Sequence, residues 1–254
     1  MSDYNFGLSD KRALITGAAS GIGRATAQIF AELGCRIVIA DIQADKLEEV
    51  VAGLAGPKHR HLALPLDMAD PAACESSIQS SVAHLGGLDI VVNAAGILHR
   101  QSLTDVSRES LHLMTAVNMW GPFFFGRAAA QHMAQAGGGS ITLFSSQGAY
   151  TGGYVGSTAY SMTKAAVAAL IKSLAREYAG RGVRVNGIAP GAIDTPMIHA
   201  GVTDEALARF QEMIPMNRLG LPHEVAMTCA FLASSAAQYI TGQMLHVNGG
   251  QLML

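Results

Sequence analysis

Short apolar runs rich in β-branched residues alternate along the chain with longer stretches whose apolar residues recur at helical spacing. The first run, Arg12 to Thr16, leads through a turn into a helix-like stretch from Gly21 to Leu33. Six further strands are predicted at Arg36 to Asp41, His61 to Leu66, Leu88 to Asn93, Ser140 to Ser145, Val183 to Ile188 and Met244 to Val247. Further helices are predicted at Ala44 to Gly53, Pro71 to His84, Ser107 to Val117, Pro122 to Ala136, Thr158 to Ala179, Asp204 to Met213 and Pro222 to Ser234. Strands this apolar, each followed by a helix, indicate a parallel sheet.

The order of these elements predicts an α/β fold. Right-handed crossovers between parallel strands give a doubly wound, seven-stranded parallel sheet with helices on both faces. No Pro/Ser-rich linker, charge run or long repeat divides the sequence, so a single domain over residues 1–254 is predicted. Such sheets bind ligands beyond the carboxyl ends of their strands, so functional residues are expected directly after strands.

The composition narrows the class of protein. Half of the residues are hydrophobic and 14% are charged, which excludes a disordered chain. The formal charge of −2, with Lys and Arg scattered, predicts no nucleic-acid partner. No apolar run approaches the roughly 18 to 20 residues that cross a bilayer, and Met1 to Asn5 do not open a secretory signal. We therefore expect no membrane partner and a cytoplasmic location.

A glycine-rich turn follows the first strand, where Gly17, Gly21 and Gly23 lie between the strand and a helix. Glycines let the backbone approach a pyrophosphate closely, and the free N–H groups of the helix end hold its charge. Three residues separate the first two glycines, so the spacing differs from G-x-G-x-x-G, although the context is the same. The turn predicts a dinucleotide site, with a plain tight turn as the alternative.

Acidic and small residues at later strand ends extend this prediction. Asp41 ends the second strand, where a carboxylate accepts hydrogen bonds from the adenosine ribose and repels a 2′-phosphate. Neither Ser20 nor Ile42 brings a cation to such a phosphate, so NAD is favoured over NADP. The alternative is that Asp41 only caps a turn before the next helix. Asp67 after the third strand has the same two interpretations, and the small residues Ala94 to Gly96 after the fourth leave room for adenosine.

Tyr160 and Lys164 are four residues apart in a predicted helix and so share one face. A nearby ammonium favours the phenolate, so Lys164 is expected to lower the pKa of Tyr160 and make it a base. Such a pair also occurs by chance in amphipathic surface helices, and alone it is a weak signal.

Taken together, these residues resemble the short-chain dehydrogenase/reductase family over nearly the whole chain. The motifs that carry the resemblance are Thr16-Gly17-x-x-x-Gly21-x-Gly23, Asn93-Ala94-Ala95-Gly96, Asn118, Ser145-Ser146, Tyr160-x-x-x-Lys164, Pro190-Gly191 and the tail from Pro215 to Gly250. The resemblance implies a Rossmann-type domain, a homotetramer and a catalytic set of Asn118, Ser146, Tyr160 and Lys164. Tyr160 would be the general acid/base, and Lys164 would tune it and bind ribose. Ser146 would hold the substrate oxygen, and Asn118 would anchor a proton relay.

The serine is left open between two neighbours. In the family, the active serine usually lies closer in sequence to the tyrosine than either candidate does here. The family spacing is one residue shorter than that between Ser146 and Tyr160 and two residues shorter than that between Ser145 and Tyr160. Counting along the strand from Gly139 without gaps favours Ser146, whereas Ser145 aligns through Gly148.

The resemblance also implies the cofactor contacts and the substrate pocket. The implied cofactor-binding residues are Gly17, Ser20, Gly21, Ile22, Gly23, Asp41, Ile42, Asp67, Met68, Asn93, Ala94, Ala95, Gly96, Tyr160, Lys164, Pro190, Gly191, Ile193 and Thr195. The apolar stretch from Met197 to Phe210 is expected to be a substrate lid. Leu98, Gln147, Tyr150 and Tyr154 are expected to line the crevice, with no arginine placed to bind a carboxylate.

The resulting prediction is an oxidoreductase that transfers hydride between NAD(H) and a small-molecule secondary alcohol or ketone, such as a polyol, sugar alcohol or hydroxysteroid. Two alternatives are an NADPH-dependent 3-oxoacyl-carrier-protein reductase and an inactive nicotinamide-binding protein. His59 and His61 have no third partner in sequence, so no metal site is predicted.

Overall fold

The computed structural model describes residues 6–154 and 156–254, and the chain start considered above lies outside them. The seven predicted strands form one sheet, all of whose neighbouring pairs are parallel. The strands are β1 (Arg12–Thr16), β2 (Arg36–Asp41), β3 (His61–Pro65), β4 (Ile90–Asn93), β5 (Gly139–Phe144), β6 (Val183–Pro190) and β7 (Met244–Val247). Their order, β3-β2-β1-β4-β5-β6-β7, confirms the doubly wound sheet.

The α-helices follow the prediction except in the loops beyond β5 and β6. They are α1 (Gly21–Glu32), α2 (Ala44–Gly53), α3 (Pro71–Leu85), α4 (Arg108–Thr115), α5 (Gly121–Gln135), α6 (Gly148–Thr151), α7 (Thr158–Tyr178), α8 (Pro196–His199), α9 (Asp204–Glu212) and α10 (Pro222–Ala233). The short helices α6 and α8 were not predicted, because four residues are too few to show helical periodicity. None of the helices in the described ranges is long and apolar enough to cross a membrane.

The core has two halves, one on each face of the sheet. Successive residues of a strand point to opposite faces, so Ala13 and Ile15 of β1 pack with α1, α2 and α10. Leu14 packs on the other face with α3, α5 and α7. Because both faces are covered, most strand positions are apolar on both sides of the sheet, which is the pattern that identified the strands in the sequence.

A π-helical turn, Ala116–Trp120, joins α4 to α5 where the sequence predicted a break between two helices. Ser107 caps the start of α4 by accepting a hydrogen bond from the Ser110 N–H at 3.1 Å. Pro122 has no N–H to donate to the carbonyl four residues earlier, which is that of Asn118. The wider turn accommodates this loss and places Asn118 in the interior, fully buried.

Candidate active site

The glycine turn between β1 and α1 is shaped by close backbone contacts. Gly17 has a φ of +69°, and a Cβ there would lie 2.7 Å from the Ala95 nitrogen. A Cβ on Gly23 would lie 2.1 Å from the Gly17 carbonyl oxygen. The first turn of α1 carries no acidic residue, so its N–H groups face the turn without a competing carboxylate. The turn therefore presents bare backbone to any ligand above it.

The ends of β1 and β4 are tied together beneath this turn. The Thr16 hydroxyl donates to Asn93 Oδ1 at 2.9 Å, and the Ala95 N–H donates to Thr16 Oγ1 at 3.4 Å. Asn93 is buried, and its Nδ2 has no hydrogen-bond partner among the described residues. Asn93 thus supports the floor of the site rather than lining it.

Asp41 braces the glycine turn and also caps the turn before α2. One carboxylate oxygen accepts from the Ala19 N–H at 3.1 Å, and the other accepts from the Gln43 N–H at 3.0 Å. The turn-capping interpretation of Asp41 is therefore confirmed, but the carboxylate still lines the cleft. Asp67 likewise accepts from the Ala69 N–H at 2.8 Å while lining the same cleft.

A cleft of about 390 Å³ lies above the carboxyl ends of β1 to β4. The predicted cofactor-binding residues that line it are Gly17, Ser20, Gly21, Ile22, Gly23, Asp41, Ile42, Asp67, Met68, Ala94, Ala95, Gly96 and Thr195. No Lys or Arg is among the described residues of its wall. Its charged groups are two carboxylates, which oppose a second phosphate at the adenosine end.

A second cavity, of about 170 Å³, adjoins the cleft, and the two share five wall residues, including Gly96 and Thr195. Asn93 and Asn118 line neither cavity, and the remaining predicted residues line the second one: Ser146, Tyr160, Lys164, Pro190, Gly191 and Ile193. The structure therefore places Tyr160 and Lys164 at the junction of two connected cavities.

Tyr160 and Lys164 lie together on one face of α7. Lys164 Nζ is 5.6 Å from the centre of the Tyr160 ring and donates a hydrogen bond to the Phe144 carbonyl at 3.0 Å. Lys164 is only 3% exposed, whereas Tyr160 is half-buried at the cavity wall. The amine is thus held against the end of β5 with the phenol above it.

Burial shifts the pKa values of these two groups in opposite directions. Desolvation raises the pKa of Tyr160 to about 12, although a hydrogen bond from Ser146 and the charge of Arg100 act to lower it. Desolvation lowers the pKa of Lys164 to about 8. The prediction that Lys164 makes the phenol more acidic is wrong for this structure, because loss of water around the ring dominates.

Asn118 connects the end of β4 to α7. Its Oδ1 accepts from the Ile97 N–H at 2.9 Å, and its Nδ2 donates to the Ile97 carbonyl at 2.8 Å and to Thr163 Oγ1 at 3.3 Å. A Cβ on Gly96 would lie 3.2 Å from Asn118 Oδ1 and 3.3 Å from Lys164 Nζ. Asn118 and Lys164 therefore approach each other across Gly96.

The two candidate serines have different surroundings. The buried Ser145 hydroxyl donates to the Lys164 carbonyl at 2.8 Å, so its proton is used to fix α7 to β5. The Ser146 hydroxyl accepts from the Gly148 N–H at 3.1 Å, and Ser146 lines the cavity together with Tyr160. The position of Ser146 suits contact with a substrate oxygen, and that of Ser145 suits a structural role.

The substrate side of the cavity contains a charged residue that the sequence analysis missed. Leu98, Gln147 and Tyr154 line it as predicted, but Tyr150 does not, because its ring packs on His246 with centres 4.8 Å apart. Arg100 lines the wall, contrary to the prediction that no arginine is available. The signal that could have found it is its position two residues after Leu98, since alternate residues of an extended segment point the same way.

The lid segment contributes to the same wall from the opposite side. Met197 and Ile198 of α8 and Phe210 of α9 line the cavity. The Phe210 ring packs edge-on against Tyr154, with ring centres 4.6 Å apart. The predicted lid is therefore two helices with a connecting loop.

Among the described residues, no three His, Cys, Asp or Glu side chains group as metal ligands.

Comparison with known proteins identifies the family. A family model described as "Enoyl-(Acyl carrier protein) reductase" matches residues 17–251. A 2,5-dichloro-2,5-cyclohexadiene-1,4-diol dehydrogenase of Sphingobium indicum is 40% identical, over 96% of each chain. A solved short-chain type dehydrogenase/reductase from Mycobacterium marinum superposes with a TM-score of 0.92 at 34% identity, over 98% of each chain. The chain belongs to the short-chain dehydrogenase/reductase family.

Another solved structure, a 3-ketoacyl-(acyl-carrier-protein) reductase from Brucella melitensis complexed with NADH, has a TM-score of 0.89 and 32% identity, over 97% of this chain and 100% of that one. The short-chain dehydrogenase/reductase family uses a nicotinamide cofactor, and the residues here fit one. Side chains at Gly17 or Gly23 would collide with neighbouring backbone and distort the turn, and the adjoining helix end is free of acids.

The glycine turn predicts a selective loss of cofactor binding. Gly23→Ala places a methyl group against the Gly17 carbonyl and forces the turn apart, so the Kd for NADH should rise at least about tenfold. Gly53→Ala is the control, because its added Cβ meets no atom within 4 Å. Titration calorimetry with NADH measures both variants, and an unchanged Kd for Gly23→Ala would contradict a role for this turn.

The buried amine predicts an unusual pH dependence of stability. Lys164 has a pKa of 10.5 in the unfolded chain and about 8 in the folded one, so unfolding takes up a proton between these values. The wild type should therefore gain stability relative to Lys164→Met as pH rises from about 8 to 10.5, by on the order of 3 kcal/mol. Below pH 8 the difference should be constant.

Chemical unfolding from pH 7 to 10.5 measures this change. Lys172→Met is the control, because Lys172 is exposed on the same helix. A difference between the wild type and Lys164→Met that stays flat across the whole range would show that the amine is not desolvated.

Proposed function

We propose that this protein is an NAD(H)-dependent dehydrogenase that interconverts a secondary alcohol and its ketone. The observation that carries the proposal is the position of the Tyr160 hydroxyl. Tyr160 and Ser146 line one cavity, which shares five wall residues with the glycine-turn cleft. A substrate oxygen at Tyr160 and Ser146 would lie beside the Gly96 end of the cleft, where the nicotinamide is expected.

The side chains suit proton transfer at the substrate oxygen. A bound nicotinamide would supply the hydride for ketone reduction. The neutral phenol of Tyr160 would give its proton to the carbonyl oxygen. The Ser146 hydroxyl donates a hydrogen bond to the same oxygen and stabilises its developing charge. In alcohol oxidation the phenol of Tyr160 would pass its own proton to a neutral Lys164 amine, next to Asn118, as it takes up the proton of the substrate hydroxyl.

The charges of the cleft favour NAD over NADP. Asp41 and Asp67 are the acidic groups of its described wall, and no described Lys or Arg there could neutralise a 2′-phosphate. The likeness to a structure complexed with NADH supports the same choice. The likeness to the cyclohexadiene-diol dehydrogenase supports cyclic or polyhydroxy secondary alcohols as the substrate class.

A second candidate function is 3-oxoacyl-carrier-protein reduction. The 3-ketoacyl-(acyl-carrier-protein) reductase likeness favours it, and the NADPH-dependent form predicted from sequence would require a 2′-phosphate to bind beside Asp41. An inactive nicotinamide-binding protein is disfavoured, because Ser146, Tyr160 and Lys164 meet in one cavity.

The homotetramer, the single domain and the cytoplasmic location stay predictions. Exposed apolar side chains of α4, the π-turn and α7 are consistent with self-association: Leu111, Leu113, Trp120 and Met162. Sedimentation velocity would measure the assembly.

Removal of the phenol hydroxyl should abolish turnover. Tyr160→Phe is expected to lower kcat by at least about 100-fold with NADH affinity largely kept, because the acid/base group is lost. Tyr150→Phe is the control, since Tyr150 lies outside the cavity.

Ser146→Ala should lower kcat strongly, whereas Ser145→Ala should mainly lower stability. Nicotinamide absorbance with a panel of alcohols and ketones measures turnover, and an active Tyr160→Phe would refute the mechanism.

The carboxylate of Asp41 should set cofactor preference. Asp41→Asn removes the charge that opposes a 2′-phosphate, so the NAD to NADP ratio of kcat/KM should fall about tenfold or more. Asp45→Asn is the control, because it removes a nearby exposed charge outside the cleft. If the ratio is the same in Asp41→Asn and the wild type, Asp41 only supports the turn.

A further inference from the structure

The substrate cavity has an unbalanced charge. Among the described residues of its wall, the basic side chains are Arg100 and Lys164, and there is no Asp or Glu. Lys164 has internal partners, because it donates to the Phe144 carbonyl and lies beneath the Tyr160 ring. Arg100 therefore supplies a positive charge that no group within the cavity wall neutralises.

Arg100 has only weak partners of its own. Its Nε donates to the Ala200 carbonyl at 3.2 Å, and one Nη donates to the Met197 carbonyl at 3.5 Å. The other Nη makes no hydrogen bond to the described residues, and none of their carboxylates forms an ion pair with Arg100. Part of the guanidinium is thus left free to bind a ligand in the cavity.

The surroundings of Arg100 make an unpaired charge costly. The side chain is half-buried, and desolvation lowers its pKa, although a guanidinium stays protonated at neutral pH. Arg12, which is also partly buried, has a carboxylate partner in Asp89 at 2.8 Å. A guanidinium held at a cavity wall with free donors and no counter-ion is suited to an incoming anion.

The chemistry of the wall favours a small carboxylate. Leu98, Met197, Ile198 and Phe210 line the same cavity as Arg100, which has a volume of about 170 Å³. A planar carboxylate matches the planar donors of a guanidinium and carries a single charge, so it loses less hydration in an apolar cavity than a phosphate dianion does.

We propose, on the basis of the dehydrogenase function above, that the substrate is a hydroxy acid whose carboxylate binds Arg100 while its carbinol oxygen lies at Tyr160 and Ser146. The alternative is that Arg100 only fixes the lid through the Met197 and Ala200 carbonyls. A lid role affects charged and neutral substrates equally, whereas anion binding affects only charged ones.

The kinetic test uses pairs of substrates that differ in charge. The 3- and 4-hydroxycyclohexanecarboxylates are compared with the corresponding carboxamides in the wild type, Arg100→Gln, Arg100→Lys and the exposed control Arg108→Gln. The wild type and Arg108→Gln should prefer the acids by about 10- to 100-fold in kcat/KM, the range expected for one charge-assisted contact. Arg100→Gln should lose this preference and Arg100→Lys should keep part of it. An equal fall for acids and amides in Arg100→Gln would overturn the proposal.

A binding test separates this proposal from the dehydrogenase function. Cyclohexanecarboxylate and cyclohexanecarboxamide have no carbinol, so titration calorimetry of the NADH-saturated protein measures recognition without turnover. Tighter binding of the carboxylate by the wild type, lost in Arg100→Gln, supports the anion site even if no alcohol is oxidised. Equal binding of the two compounds by the wild type overturns it even if neutral alcohols are oxidised.

Discussion

Two hydrogen bonds in opposite directions join α7 to the end of β5, and the arrangement of the site depends on them. Lys164 Nζ donates to the Phe144 carbonyl at 3.0 Å, and the Ser145 hydroxyl donates to the Lys164 carbonyl at 2.8 Å. Both are buried, where an unpaired polar group costs more than it does in water. The helix therefore cannot shift along the strand without losing both, and Tyr160 is held at the cavity wall.

The same burial decides how protons are distributed in the site. In water the phenol and the amine have similar pKa values, 10.0 and 10.5. In the folded chain the phenol rises to about 12 and the amine falls to about 8, so the amine becomes the stronger acid of the two. The phenol is thus kept as a proton donor, and the Lys164 amine is close to its titration point at neutral pH.

The two connected cavities have opposite charge. The cleft above β1 to β4 contains carboxylates and the N-terminal end of α1, and its described wall has no Lys or Arg. The adjoining cavity contains Arg100 and Lys164 and no described Asp or Glu. A ligand that spans the two cavities would therefore meet carboxylate oxygens, which accept hydrogen bonds, on one side and cationic hydrogen-bond donors on the other. This difference in charge would separate nucleotide recognition from substrate recognition.

The sequence by itself determined the seven strands, their parallel arrangement and most of the residues around the cleft. These features depend on local properties: periodicity of apolar residues, glycines where the backbone must approach closely, and polar residues at strand ends. Only the tertiary structure showed that Ser145 and Ser146 have different surroundings, placed Asn118 in a π-helical turn, brought Arg100 into the cavity and raised the pKa of Tyr160. These features depend on which groups lose water on folding and on where segments without helical or strand periodicity are placed. Both are set by packing between residues that are far apart in the sequence.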